Sequence, residues 1–303
     1  MSLYPHIDDL LELRHQAHTL GLASRHRVNS SFSGLYASVF RGTGLDFEEV
    51  REYHEGDDIR NMEWNITART NTPHLKIFHE ERERSVVLCI DRGPHMSFGT
   101  RGTFKSIQAA KAAALLGWAA SKLNDRVGGM LFGDNQQGLQ YFQPTKGRRA
   151  LWRLLHALTN EGSTNQPHQD CLTEALQRAD KGTATGSLIF VIADLNREIM
   201  GLQQTLGRLC QRHTVVLLPV DDPADRELPD MGRVTFVGPD GNAIEIDTRD
   251  KASRERYSQT WHKRRQELTN LANRLGIPLM PIATNEEIHL TLSCGLAKHF
   301  GRH

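Results

Sequence analysis

Beyond Ser85 the chain alternates short, continuous apolar runs with longer stretches of helical periodicity. Val86–Ile90, Val127–Phe132, Leu188–Ala193 and Val215–Val220 carry almost no polar interruption, as expected of strands covered on both faces. Between them, Phe104–Leu123, Arg148–Leu158, Leu172–Ala179 and a stretch from about Glu198 to Cys210 repeat apolar residues three and four apart, which predicts helices. Leu139–Phe142 and Pro278–Ile282 read as further strands. Lys251–Leu275 reads as a long charged helix, and another helix starts near Glu286. Arg233–Val237 and Ala243–Asp247, joined by "GPDGN", read as a hairpin. The pattern predicts an α/β fold over residues 85–303: a doubly wound, mostly parallel sheet with helices on both faces and a hairpin inserted near 233–247.

The first 84 residues have a different texture. Ile7–Leu20 is amphipathic and stops at Gly21, a helix signature. From Arg25 to Arg84, short extended pieces ("LYASVF", "HLKIF") alternate with turns at Gly42, Gly44, Gly56 and "NTP". Residues 1–84 therefore read as an N-terminal helix and a small β-rich subdomain. The sequence shows neither internal repeats nor a low-complexity linker.

Charge narrows the function classes. Lys and Arg total 37 against 36 Asp and Glu in 303 residues, so no global field draws the protein to nucleic acid or anionic lipid. The four cysteines are widely spaced without a CxxC pair, which argues against a zinc site. The start, "MSLYPHIDDLLELRHQ", is acidic and lacks the apolar core of a signal peptide. No run approaches the roughly 18 apolar residues of a membrane span. A cytoplasmic protein without direct membrane insertion is expected.

Candidate chemistry gathers in two places. Three strands end in acid, at Asp91, Asp194 and the Asp221–Asp222 pair. Right-handed crossovers bring such ends to one side of a sheet, where carboxylates hold Mg²⁺ in some proteins and cap helices in others. The loop after Asp91 supplies Arg92, Gly93, Pro94 and His95, a poor set for a hard cation. The second place is the motif REYxxGDDxRxxxW, with Arg51, Glu52, Tyr53, Asp57, Asp58, Arg60 and Trp64, followed by Arg69. Its guanidinium and carboxylate groups read as bracing pairs for a subdomain with little core, or as a recognition surface anchored by Trp64. A hydrolase built on "HEGDD" (His54–Asp58) is a third reading. "KGRR" (Lys146–Arg149) reads as a solvated helix start. Isolated histidines such as His213 and His289 read as structural. The sequence has no Walker A loop, GxSxG, HExxH or GxGxxG, and no cofactor is expected.

The stretch "GLDFEEVREYHEGDDIRNMEWNITARTNTPHLKIFHEERE", with "DRVGGMLFGD", "PTKGRRALWRLLHAL" and "LIFVIADL", resembles the bacterial family catalogued as domain of unknown function 58. The resemblance implies a von Willebrand factor A-like domain with an N-terminal extension, in a family often encoded beside MoxR-type AAA+ ATPases. It implies a non-enzymatic adaptor of such an ATPase, acting in maturation or remodelling of a client protein, with ATP and Mg²⁺ belonging to the partner. In von Willebrand A domains the first strand ends in D-x-S-x-S, and a Thr and a second Asp complete a Mg²⁺ site. Here Asp91 and Asp194 match the acids, Gly93 and His95 stand at the serines, and Gln169 aligns with the Thr. The resemblance thus implies a remnant metal site whose edge, Asp91, His95 and Asp194, is a candidate partner contact. The alternative is a divalent ion held by those three residues.

Overall fold

The computed structural model describes residues 4–17, 46–54, 57–59, 62–79, 84–133, 138–160, 171–196, 201–237 and 243–300. Its elements run α1 (Ile7–Gln16), β1 (Asp46–Glu52), α2 (Trp64–Thr70), β2 (His74–His79), β3 (Ser85–Asp91), α3 (Lys105–Lys122), β4 (Arg126–Phe132) and β5 (Gln140–Thr145). They continue with α4 (Arg148–Thr159), α5 (Leu172–Gly182), β6 (Leu188–Ala193), α6 (Leu202–Arg212), β7 (Thr214–Asp221) and the single turn α7 (Pro223–Arg226). The hairpin β8 (Arg233–Val237) and β9 (Ala243–Asp247), then α8 (Lys251–Leu275), β10 (Ile282–Ala283) and α9 (Ile288–Phe300), complete the chain.

Six strands form the main sheet in the order β10-β7-β6-β3-β4-β5. Only β5, at one margin, runs antiparallel to its neighbour. This is a doubly wound α/β sheet, as the strand pattern predicts. The chain builds outward from β3 to β5, then returns to lay β6, β7 and β10 on the other side of β3. The β3/β6 boundary is therefore the topological switch point, where open sheets present a crevice beyond the carboxyl ends of their strands. Ile90 pairs with Ile192, so Asp91 and Asp194 leave the sheet on adjacent strands at nearly the same level.

Both faces of the sheet are covered, which explains the unbroken apolar runs. Val87, Cys89, Ile189 and Val191 pack with Leu172 and Leu176 of α5, Leu206 and Leu209 of α6, and Leu268 and Leu271 of α8. On the other face, Leu88 lies against α3 near Gly117, where an added Cβ would fall 2.5 Å from Leu151 of α4. The small residues of α3 allow that close approach. Burial pushes the Cys89 thiol up to about 12, so it stays protonated in the core.

Two expectations change. The strand predicted over Pro278–Ile282 is reduced to a bridge at Leu279 and the two residues of β10. Pro278 and Pro281 lack the N–H groups a continuous ladder requires. The margin strand β5 likewise contains Pro144. The second change concerns α1, which the sequence groups with residues 1–84. The chain divides instead into Phe40–Arg84 and a larger unit of Met1–Val39 with Ser85–His303. Leu10 of α1 is fully buried, and its carbonyl accepts a hydrogen bond from Trp118 Nε1 of α3 at 3.0 Å.

Within the smaller unit, β1 and β2 pair antiparallel and α2 lies between them in sequence. Glu63 caps α2 by accepting the Asn65 N–H, and Asn71 ends it in the left-handed region at φ 58°. The described part of this unit holds two paired strands and one short helix. "LYASVF" lies outside the described residues. Among the described residues, no helix is long and apolar enough to cross a membrane.

Candidate functional site

At the switch point, β3 delivers Asp91 into a turn that uses both of its carboxylate oxygens. Oδ1 accepts the Gly93 N–H at 2.9 Å, and His95 Nε2 lies 2.9 Å from Oδ2. Gly93 and Pro94 start the 3₁₀ turn Pro94–Ser97, which swings His95 back over the strand end. Gly133, after β4, closes the other side. Its φ is +87°, and a Cβ there would sit 2.7 Å from Asp91 Oδ1 and from Gly93 N, so glycine alone fits. Asp91 is 1% exposed, whereas the His95 side chain is 20% exposed.

Asp194 follows β6, and its oxygens are also engaged. Oδ1 accepts the Asn196 N–H at 2.9 Å, and Oδ2 receives Lys105 Nζ at 2.7 Å. Lys105 is the first residue of α3, and 2% of its side chain is exposed. The same Nζ lies 2.7 Å from Asp225 Oδ2 and 5.6 Å from the centre of the Phe98 ring. Burial opposes the ammonium, but the charges and hydrogen bonds of Asp194 and Asp225 outweigh it and raise the Lys105 pKa. Burial also works against the Asp194 carboxylate. The Lys105 charge and hydrogen bond, then the Asn196 N–H and the charge of His95, hold it below its ordinary value. Two acids share one ammonium, so they diverge: burial and the nearby Asp194 push Asp225 up despite Lys105.

The acids after β7 play separate parts. Asp222 ties three loops together. It receives Thr100 N at 2.8 Å, Thr100 Oγ1, Thr284 Oγ1 and Ala224 N, and it completes a capping box with Asp225 on α7. Burial opposes its charge, but the Thr100 and Thr284 hydrogen bonds keep its pKa low. Asp221 is paired with Arg265 of α8, yet burial, with Asp194 and Asp225 nearby, pushes it up to about 6.

These residues do not fit a Mg²⁺ ion. Gly93 has no side chain to offer, and His95 is a softer ligand already bonded to Asp91. The four carboxylate oxygens of Asp91 and Asp194 all have partners within the protein. The positive charge beside Asp194 is supplied by an ammonium. Among the described residues, no group of three His, Cys, Asp or Glu side chains could hold a metal. Gln169 lies outside the described residues. Asp91, His95 and Asp194 thus lie at one end of the sheet, but Asp91 is too buried to be touched. The sequence alone does not single out Lys105, Thr100, Asp225 and Thr284, the groups that satisfy these acids. Its one available signal for Lys105 was a cation opening the apolar helix α3, where the helix dipole disfavours positive charge.

The second motif is divided by the structure. Arg51 Nη2 lies 2.7 Å from Asp57 Oδ1, with 37% and 23% of the side chains exposed. Asp57 Oδ2 accepts the His54 N–H at 2.9 Å, and the hydrogen bond from Arg51, then that N–H, lower its pKa. These contacts shape a turn. Glu52 contributes its carbonyl to Arg51, and Tyr53 N–H donates to the Pro73 carbonyl. Asp58 is exposed, Arg69 is exposed in the last turn of α2, and Trp64 is 66% exposed. Glu55 and Arg60 lie outside the described residues. Elsewhere, His213 is buried with Nε2 3.2 Å from Asp180, a structural pairing.

The chain is 25% identical over 269 residues to an uncharacterised protein of Mycobacterium bovis, covering 89% of this chain and 84% of that one. Two uncharacterised proteins of Mycobacterium tuberculosis match to the same extent. Among solved structures, the conserved hypothetical protein BatB from Bacteroides thetaiotaomicron is similar at 17% identity and a TM-score of 0.43, over 71% of this chain and 98% of that one. The SpRpn10 VWA domain is similar at 12% identity and a TM-score of 0.40, over 71% and 94%. The family described as "Protein of unknown function DUF58" matches residues 49–267, and the chain belongs to that family.

Proposed function

We propose that this protein is a cytoplasmic, non-enzymatic adaptor of a MoxR-type AAA+ ATPase, working through protein contacts in the maturation or remodelling of a client protein. The observation that carries the reading is Lys105, whose buried ammonium is shared by Asp194 and Asp225 at the switch point. With Asp91 and Asp222 also satisfied internally, the described residues of the crevice offer no acid free of internal partners and no group of three metal-ligating side chains. Such an end of the sheet acts by shape and surface charge. The ATPase as partner, and a client beyond it, rest on the gene association that the family resemblance implies.

The contact proposed is the loop surface around His95, with the exposed Arg101, Asn285 and Glu286. Asp222 holds these loops in one arrangement, so a partner meets a formed surface at small ordering cost. Its mixed charge makes the contact sensitive to salt. The test measures co-purification and ATP turnover of the cognate ATPase with and without this protein. Binding with an altered rate, weakened by Arg101→Glu combined with His95→Ala, is the expected result. No binding and no change in rate would reject the adaptor reading. Binding indifferent to the double variant would reject the surface.

A further inference from the structure

On the β10 side of the crevice, the end of β7, the turn α7, Trp261 of α8 and the residues of and around β10 line a cavity of about 500 Å³. The segments that line it, residues 221–227, 251–275 and 281–286, are described throughout. Pro223, Pro281, Ile282 and Trp261 give it apolar walls. Asp221, Asp222, Glu227 and Glu286 line it together with a single cation, Arg226.

Of these four acids, only Asp221 is paired with a cation, Arg265. Asp222 spends its oxygens on the neutral donors of Thr100, Thr284 and Ala224 and keeps its charge. Glu227 and Glu286 are exposed and have no ion pair among the described residues. Close behind, Asp194 and Asp225 share one ammonium, so acid exceeds base there too. The wall also holds donors without acceptors. Trp261 Nε1 and Arg265 Nη1 are buried and have no hydrogen-bond partner among the described residues. The two side chains are stacked, with Arg265 Cζ 5.0 Å from the centre of the Trp261 ring. The cavity therefore combines carboxylates lacking a cation with N–H groups lacking an acceptor.

We propose that this cavity takes an arginine side chain presented by an extended segment of a partner protein. A guanidinium supplies the missing cation and forks between carboxylates such as Glu227 and Glu286. Its aliphatic stem packs on Pro223, Pro281 and Ile282, and its plane suits the aromatic wall of Trp261. The carbonyls on either side of the inserted residue supply acceptors for the donors of the wall, which a bare cation lacks. The exposed rim of Pro281, Asn285 and Glu286 leaves room for the chain to enter and leave. Asn285 and Glu286 also belong to the contact surface proposed above, but the inference rests on the cavity's own residues and is independent of the ATPase.

Nuclear magnetic resonance on the ¹⁵N-labelled full chain reads binding at the indole of Trp261, one of four tryptophans, whose signal is identified by its loss in Trp261→Phe. A capped pentapeptide with arginine between glycines should move that signal saturably, and less so as salt rises. The same peptide with lysine should bind about threefold more weakly, and with glutamate not at all. Glu227→Gln combined with Glu286→Gln should weaken the arginine peptide about fivefold or more. Both positions are exposed, so circular dichroism and melting should confirm an unchanged fold. No saturable shift, or an affinity indifferent to the double variant, would overturn the site. A lysine peptide bound more tightly than the arginine one would overturn the guanidinium assignment. Arginine amide or spermidine bound as tightly as the peptide would overturn the assignment to a protein segment. No ATPase is present in these titrations, so this inference and the adaptor reading fail or stand separately.

Discussion

Lys105 Nζ and Asp194 Oδ2 lie 2.7 Å apart across the switch point, joining the start of α3 to the end of β6. A cation covalently part of the fold thus neutralises this acid. The position of that charge is fixed by the start of α3.

Removing that ammonium leaves Asp194 and Asp225 buried beside each other without a counter-charge. Lys105→Met is expected to destabilise the protein by about 3–5 kcal/mol, the usual cost of orphaning a buried charge. Adding Asp194→Asn should recover part of the loss, since one orphaned charge disappears. Chemical denaturation of the single and double variants measures both, and a negligible loss for Lys105→Met would show that the pair is unimportant.

Titration should show two acids working in opposite senses. The folded pKa of Asp221 is about 6, above its ordinary 3.8, so the native state holds its proton longer than the unfolded chain does. Its contribution is fully present below about 3.8 and is lost as pH rises through 6. Wild type should therefore lose stability relative to Asp221→Asn as pH rises from about 3.8 through about 6, the window set by those two values. Asp194 is depressed, so its contribution is present above 3.8 and disappears as pH falls through its lower folded value. Stability differences from Asp194→Asn should shrink only at acid pH. Paired unfolding curves across pH read both slopes.

Mg²⁺ and Mn²⁺ titrated into the protein should give flat calorimetric traces, because the carboxylates at the switch point are already bonded internally. A one-site isotherm abolished by Asp91→Ala would overturn this.

Gly133→Ala is expected to cost about 1–3 kcal/mol, because it places a Cβ against Asp91 and Gly93 at a positive φ. Arg51→Ala should change melting much less than Lys105→Met, since the Arg51–Asp57 pair is partly open to water. Differential scanning calorimetry compares the variants.

The doubly wound sheet was legible because strands buried on both faces leave apolar runs that little else produces. The convergence of Asp91 and Asp194 was legible for a related reason: parallel strands send their ends to one side. What satisfies those acids was not. Lys105 sits far from Asp194 in sequence and opens a helix whose alanines look like the whole message. Spacing reveals which residues share an end of the sheet, not which side chains turn inward to pair. The margin at β10 is not legible because Pro278 and Pro281 break an apolar strand, a veto local to the backbone N–H.

Those prolines reach further than the shape of one strand. At one margin β10 is two residues long beside Pro281, and at the other β5 carries Pro144. A free strand that tried to zip onto either side would find interrupted donors instead of a regular ladder. The sheet is thereby protected from self-templating, and recognition by strand addition is disfavoured. A protein that docks at the margins of this sheet then grips side chains on the surrounding loops and helices, where single substitutions can retune the choice of partner without disturbing the sheet beneath.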